Sequence, residues 1–169
     1  MTVSVSTIDF HVTSECNQEC PYCWGPQGFE EPVDTATARA IVEKVAGMGV
    51  RRIVYTGGDP LLRPDIGALL DLSKALGLEV ALSTTGDELT GRFLAAHAAS
   101  IDLISLPIDG PSEEVSRRTK KEGHLAAVLA AMDLLAGFPD IDVKMATPVT
   151  RKNLDAVPDI VRLLEDRRG

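Results

Sequence analysis

Cys16, Cys20 and Cys23 are the only cysteines in the chain, spaced Cys16-x3-Cys20-x2-Cys23. An odd set of thiols on one short stretch cannot pair off as disulfides, but its thiolates can bind metal. Thiolates hold iron–sulfur clusters, usually four to a cluster. Three would leave one iron open to a group that is not protein. A second constellation is the Gly-rich segment Thr56-Gly57-Gly58-Asp59-Pro60, where missing Cβ atoms let the main chain approach a ligand closely. A competing reading makes the thiols a structural zinc site with His11 as fourth ligand, and the second segment an ordinary Gly-Asp-Pro turn. Zinc leaves Gly57-Gly58-Asp59 without a role.

The composition narrows the setting. A chain of 169 residues, 44% of them hydrophobic, can bury the core of a single domain over 1–169. No apolar run approaches the ~20 residues of a membrane span. The start, Met1-Thr2-Val3-Ser4, has neither a basic region nor an apolar signal core. A reducing cytoplasm is therefore expected, where grouped thiols serve metals. The net charge of −8 argues against a nucleic-acid binder, which needs a basic face to neutralise phosphates.

Elements that could position these residues alternate along the chain. Strands are expected at Ile8–Thr13, Arg52–Thr56, Glu79–Thr84, Ile101–Leu106 and Ile141–Thr147, which are short, β-branched and bounded by turn residues. Helical spacing joins Ala38, Ile41, Val42 and Val45, and again Leu125, Val128, Leu129 and Met132. Asp34 and Asn153 are expected N-caps. Five successive βα units imply a parallel sheet covered by helices. A closed eight-fold barrel takes ~250 residues, so the expected fold is α/β, a partial (βα) barrel of about five strands with outer helices. Function in such folds gathers at the C-terminal ends of the strands. The cysteines follow strand one and Gly57-Gly58-Asp59 follows strand two, so both should share one rim.

Cys16-Asn17-Gln18-Glu19-Cys20-Pro21-Tyr22-Cys23 resembles the CxxxCxxC signature of the radical S-adenosylmethionine superfamily. The resemblance implies that the cysteines ligate a [4Fe–4S] cluster whose open iron chelates S-adenosylmethionine. It further implies reductive cleavage to a 5′-deoxyadenosyl radical that abstracts hydrogen from a substrate. Thr56-Gly57-Gly58-Asp59-Pro60 resembles the family's Gly-Gly-Glu-Pro segment, which contacts the methionine amino group; Asp59 is one methylene shorter than the usual Glu. Tyr22 matches the aromatic whose backbone lies near the adenine, and Trp24 is expected to shield the cluster. Ser83 and Thr84 lie where the family often has Thr-Asn-Gly, and Ser105 opens Ser105-Leu106-Pro107-Ile108-Asp109-Gly110-Pro111, similar to the family's Ser-x-Asp-Gly-Pro. Hydroxyls there are expected on ribose or carboxylate groups, with Ser105, Pro107 and Asp109 on one face. Lys144 either points inward to an anionic group or snorkels at a sheet edge.

The same resemblance sets expectations about partners. An electron donor such as flavodoxin or ferredoxin is implied, with no auxiliary cluster, since no further cysteine exists. The family core usually has six βα units, so the C-terminal side is expected to be truncated or completed by a missing segment or partner. Lys144, Arg117-Arg118-Thr119-Lys120-Lys121 and Arg151-Lys152 lean toward a nucleotide or other small anionic substrate. Asp109-Gly110-Pro111, common in peptide-modifying relatives, leans toward a peptide. His97 and His124 read as surface or capping residues, and His11 as a structural hydrogen-bonding residue or part of the pocket floor.

Overall fold

The computed structural model describes residues 5–24 and 33–167. Five strands, β1 (Thr7–Thr13), β2 (Arg52–Gly57), β3 (Glu79–Ser83), β4 (Leu103–Pro107) and β5 (Asp142–Ala146), form one sheet in the order β1-β2-β3-β4-β5. Every neighbouring pair is parallel. The connections carry helices α1 (Thr35–Gly47), α2 (Ile66–Ala75), α3 (Gly91–His97), the single turn α4 (Glu113–Ser116) and α5 (His124–Leu135), while α6 (Val157–Asp166) follows β5. This is the expected partial barrel. Strand four begins two residues later than its sequence suggests and extends to Pro107, because Ile101 and Asp102 belong to the turn that enters it.

The two faces of the sheet differ in chemistry. Ile53 and Tyr55, Val80 and Leu82, Ile104 and Leu106 point to the helices, where they pack with Ala38, Val42 and Val45 of α1, Leu69 and Leu70 of α2, Leu94 of α3 and Val128 of α5. Burying such side chains contributes roughly 1.5–3 kcal/mol each. Their strand neighbours face the concave side and are largely polar. His11 lies opposite Thr56, and Ser83 lies opposite Ser105, which lies opposite Lys144. With Tyr55 opposite Leu82, these five residues form one row across the sheet, one per strand. Parallel strands covered on both faces normally read as continuous apolar runs. Here the alternation marks a face left open for something polar.

Caps and ties secure the periphery. Asp34 caps α1, its carboxylate accepting from Thr37 N at 2.7 Å. Asn153 does not cap by its side chain. It is buried, donates to the carbonyls of Asp109 and Pro148, and accepts from Thr150 N. The Tyr55 hydroxyl, deep in the core, donates to Leu69 O and shares a hydrogen bond with Ser73 Oγ.

Arg63 ties together the two ends of the segment that carries the cysteines. Its Nη1 donates to Val12 O at 2.9 Å and to Val33 O at 2.8 Å, so one guanidinium binds the end of β1 and the approach to α1, on either side of the thiols. Asp65 holds the remaining nitrogens in a bidentate pair. Partial burial pushes the Asp65 carboxyl up, but hydrogen bonds from Arg63 and Thr35 outweigh it and hold the group below its usual value. A carboxylate so lowered stabilises the fold above its unfolded pKa, about 3.9, and loses that contribution as pH falls through the lower folded value. Arg63→Met, which takes the donor from Val12 O and Val33 O, should cost about 1–3 kcal/mol at neutral pH and should flatten the acid limb of the stability profile, both read by denaturant titration across pH.

Candidate functional site

The cysteine loop leaves β1 through an irregularity in the β1–β2 register between His11 and Thr13. Thr13 Oγ1 accepts from Glu15 N, and Cys20 O accepts from Cys23 N at 3.0 Å, closing a turn whose second residue is Pro21. All three cysteines are half-buried and outside any disulfide. Burial pushes the Cys16 thiol up; a hydrogen bond from Gln18 N opposes this, and the charges of Asp59, Cys20 and Cys23 add to it. Among the described residues, no three Cys, His, Asp or Glu side chains converge as ligands of a single ion. His11 lines the concave cleft, the second of the two places expected for it. A four-iron cluster takes each thiolate at a separate iron, and three cysteines on one loop fit that donor set.

The loop after β2 lies directly against the cysteine loop. Gly58 N donates to Thr13 O at 2.8 Å and Asp59 N to Glu15 O at 2.6 Å. A Cβ on Gly57, whose φ is +128°, would stand 2.3 Å from Thr13 O; one on Gly58 would stand 1.9 Å from Glu15 O. Both glycines are therefore required by contact between two loops of the protein, before any ligand is considered.

Asp59 departs from its expected role. It is 0% exposed. Oδ1 accepts from Leu61 N at 3.0 Å and Thr84 Oγ1 at 2.7 Å, and Oδ2 accepts from Thr85 N at 3.2 Å and Thr85 Oγ1 at 2.5 Å. An ionised carboxylate has about four acceptor sites, and all are occupied by the protein. A methylene shorter than Glu, Asp59 braces the β2 loop against the end of β3 and does not line the cleft. Gly57, Gly58, Thr84 and Thr85 do line it, with Thr56, Ser83, Ser105, Pro107 and Ala146, around about 170 Å³. A contiguous cleft of about 330 Å³ runs down the concave face past His11, Ser83, Ser105 and Lys144. Ser83 and Ser105 line both spaces, Thr84 the first and Lys144 the second, with Lys144 exposed on edge strand β5.

Tyr22 is anchored away from the cleft: its hydroxyl donates to Asp109 Oδ2 at 2.6 Å, and Lys120 Nζ stands 5.7 Å from the ring centre. Burial, then the hydrogen bond and charge of Asp109, push the phenol well above its ordinary value. Asp109 was expected beside Ser105 and Pro107, but it lies past the end of β4, is 1% exposed, and also accepts from Thr119 Oγ1 at 2.7 Å. Trp24 is 95% exposed among the described residues. His124 is buried, not superficial, with Nδ1 3.3 Å from Asp87 Oδ1. His97 sits at the surface against Asp71. Most of the basic run is engaged within the protein: Lys121 pairs with Glu19 of the cysteine loop, and Arg118 and Lys152 donate to each other's main-chain carbonyls. Asn17, Gln18, Thr85 and Asp87 escaped the sequence reading, although all four join the cysteine loop to the end of β3.

Thiols on the first loop, a glycine pair on the second and a polar cleft below them, all at the C-terminal rim of a parallel sheet, define a cofactor-binding α/β domain. Residues 10–164 match the Radical SAM superfamily, and the chain belongs to it. Its relatives include the GTP 3′,8-cyclase of Chlorobaculum tepidum, 32% identical over 96% of this chain and 51% of that protein. The mycofactocin maturase MftC of Mycobacterium ulcerans is 30% identical over 96% of this chain and 44% of that protein. Among solved structures, anSMEcpe with bound AdoMet and a Kp18Cys peptide superimposes with a TM-score of 0.82 at 17% identity, covering 97% of this chain and 49% of that one. That last likeness concerns the fold. The chain spans about half the length of the curated relatives it matches.

The loop contact yields a direct test. Gly58→Ala forces a Cβ into Glu15 O, so the two loops must separate. Lower thermal stability of the cluster-free protein and impaired iron uptake are expected, read by calorimetry and by iron analysis after reconstitution.

Proposed function

We propose that this chain is the catalytic core of a radical S-adenosylmethionine enzyme. Cys16, Cys20 and Cys23 hold a [4Fe–4S] cluster, which when bound supplies the electron for reductive cleavage of S-adenosylmethionine to a 5′-deoxyadenosyl radical that takes hydrogen from the substrate. The main chain at Gly57 and Gly58 receives the methionine end of the cofactor. Ser83, Thr84 and Ser105 offer hydroxyls to its ribose and carboxylate, and Lys144 offers a cation. The Tyr22 main chain lies beside the adenine, its ring held back by Asp109. Asp59 serves the site by orienting Thr84 and Thr85. The observation that carries this reading is the packing of a three-thiol loop on Gly57-Gly58, directly above a polar cleft.

The target is a polar molecule that reaches the concave row. Relatives are named for both nucleotide and peptide chemistry, as in GTP 3′,8-cyclase and PqqA peptide cyclase. The engagement of Arg118, Lys121 and Lys152 within the protein removes much of the support for an anionic substrate bound by the basic run. Lys144, in the cleft, keeps that support. A reduced flavodoxin or ferredoxin is the proposed electron donor in a reducing cytoplasm. An apolar groove of about 650 Å³ between α5, β5 and α6, lined by Met132, Leu135, Val143, Met145, Val161 and Leu164, supports completion of the barrel by a further segment or partner.

Anaerobic reconstitution with iron and sulfide should give a brown protein that forms 5′-deoxyadenosine from S-adenosylmethionine under reduction. The Cys16→Ala, Cys20→Ala, Cys23→Ala triple variant should form none. Undiminished product from the triple variant, or stoichiometric zinc without iron in the native protein, would overturn the assignment.

A further inference from the structure

The residues between the cysteines have side chains that metal ligation does not use. Gln18 Nε2 donates to Asp87 Oδ2 at 2.8 Å, while Gln18 Oε1 accepts from Lys121 N at 2.9 Å. Tyr22 donates to Asp109 Oδ2. Asn17 Oδ1 lies 3.2 Å from the Thr85 hydroxyl, which is itself held by Asp59. The three acids come from different places: Asp59 follows β2, Asp87 follows β3 and Asp109 follows β4. Each is fixed from behind, Asp59 by Leu61 N and Thr84, Asp87 by His124, and Asp109 by Thr119. Hydrogen bonds to ionised acceptors are about twice as strong as neutral ones. Part-buried as they are, they gain further from a lower local dielectric.

We infer that Asp59, Asp87 and Asp109 are positioning residues that fold the cysteine loop before any cluster binds, one acid bracing it from each of the three strand ends beside it. Metal sites rarely exist preformed in an unfolded chain, and ordering the ligands usually draws on metal-binding energy. Here the ordering is supplied by protein–protein hydrogen bonds, so the thiols stand ready and binding meets a smaller entropic cost. The inference rests on the cluster reading of the proposed function, but its test does not.

The test is amide hydrogen exchange, by mass spectrometry, of peptides covering residues 14–24 in the cluster-free, reduced wild-type protein. Exchange is expected to be at least about tenfold slower than in the denatured chain, the scale of one or two net hydrogen bonds. Tyr22→Phe removes one oxygen and Asp87→Ala one brace. Each should speed exchange of this segment several-fold while β2–β4 peptides stay protected. Asp87→Asn, which keeps an acceptor for Gln18, should return toward wild type. After reconstitution, Tyr22→Phe should also alter the electron paramagnetic resonance line shape of the reduced cluster. Exchange of 14–24 at the denatured-chain rate in the cluster-free wild type overturns the inference, even if the protein later takes up iron. So does Tyr22→Phe exchange identical to wild type. A protected loop in a protein that never binds a cluster would instead leave the inference standing and remove the proposed function.

Discussion

The contact between Asp59 N and Glu15 O, 2.6 Å long and flanked by the bond from Gly58 N to Thr13 O, is the constraint on which the site depends. It joins the first two loops of the rim main chain to main chain, with no side chain between them. Only glycine can stand at 57 and 58, because a Cβ at either would enter the space of a carbonyl oxygen. Once this contact is made, the exit of the chain from β1 is fixed. Arg63 then fixes the return toward α1 by holding Val12 O and Val33 O together. The thiols are confined between these two clamps.

The burial of Asp59 follows from the same contact. A loop drawn this close to its neighbour turns its acid inward, where a carboxylate without partners would be very costly. The end of β3 supplies those partners through Thr84 and Thr85. The acid therefore links three loops instead of facing solvent or the cleft, and the rim behaves as a single unit. An aspartate at this position is not simply a shorter glutamate: its reach suits an internal brace, and the cleft wall is left to peptide groups and hydroxyls.

Much of the fold was legible in the sequence because its signals are local. Strand alternation, the helical spacing around Val42 and Val128, and the Asp34 cap all depend on residues within a few positions of one another. So does the cysteine spacing. The second half of the site depends on partners far apart in the chain: Gln18 with Asp87 at a separation of 69 residues, Tyr22 with Asp109 at 87 and Asp87 with His124 at 37. No periodicity announces such pairs. Asp109 was misplaced for a related reason: strand alternation carried past Pro107 puts it in the cleft, but the strand ends there and the chain turns the acid into the interior. Asn153 looked like a helix cap because its type favours caps, yet its amide is used to bridge the loops after β4 and β5.

The concave row explains how the remaining polar residues divide. His11, Thr56, Ser83, Ser105 and Lys144 occupy one level of the sheet, while the anchors Asp59, Asp87 and Asp109 stand beyond the strand ends and turn away from it. Acids that hold the loop are thereby separated from the groups on this level of the cleft, which carries hydroxyls, an imidazole and an ammonium, with Asp9 and Arg52 further down it. Such a surface accepts hydrogen bonds and negative charge more readily than a second cation. Lys144 sits on the edge strand β5, which among the described residues pairs only with β4. The rigid end of the cleft is therefore the β1–β3 end, where loops are bolted together. Its β5 end is where an element placed beside the sheet would change both the shape of the cleft and the partner of its only lysine.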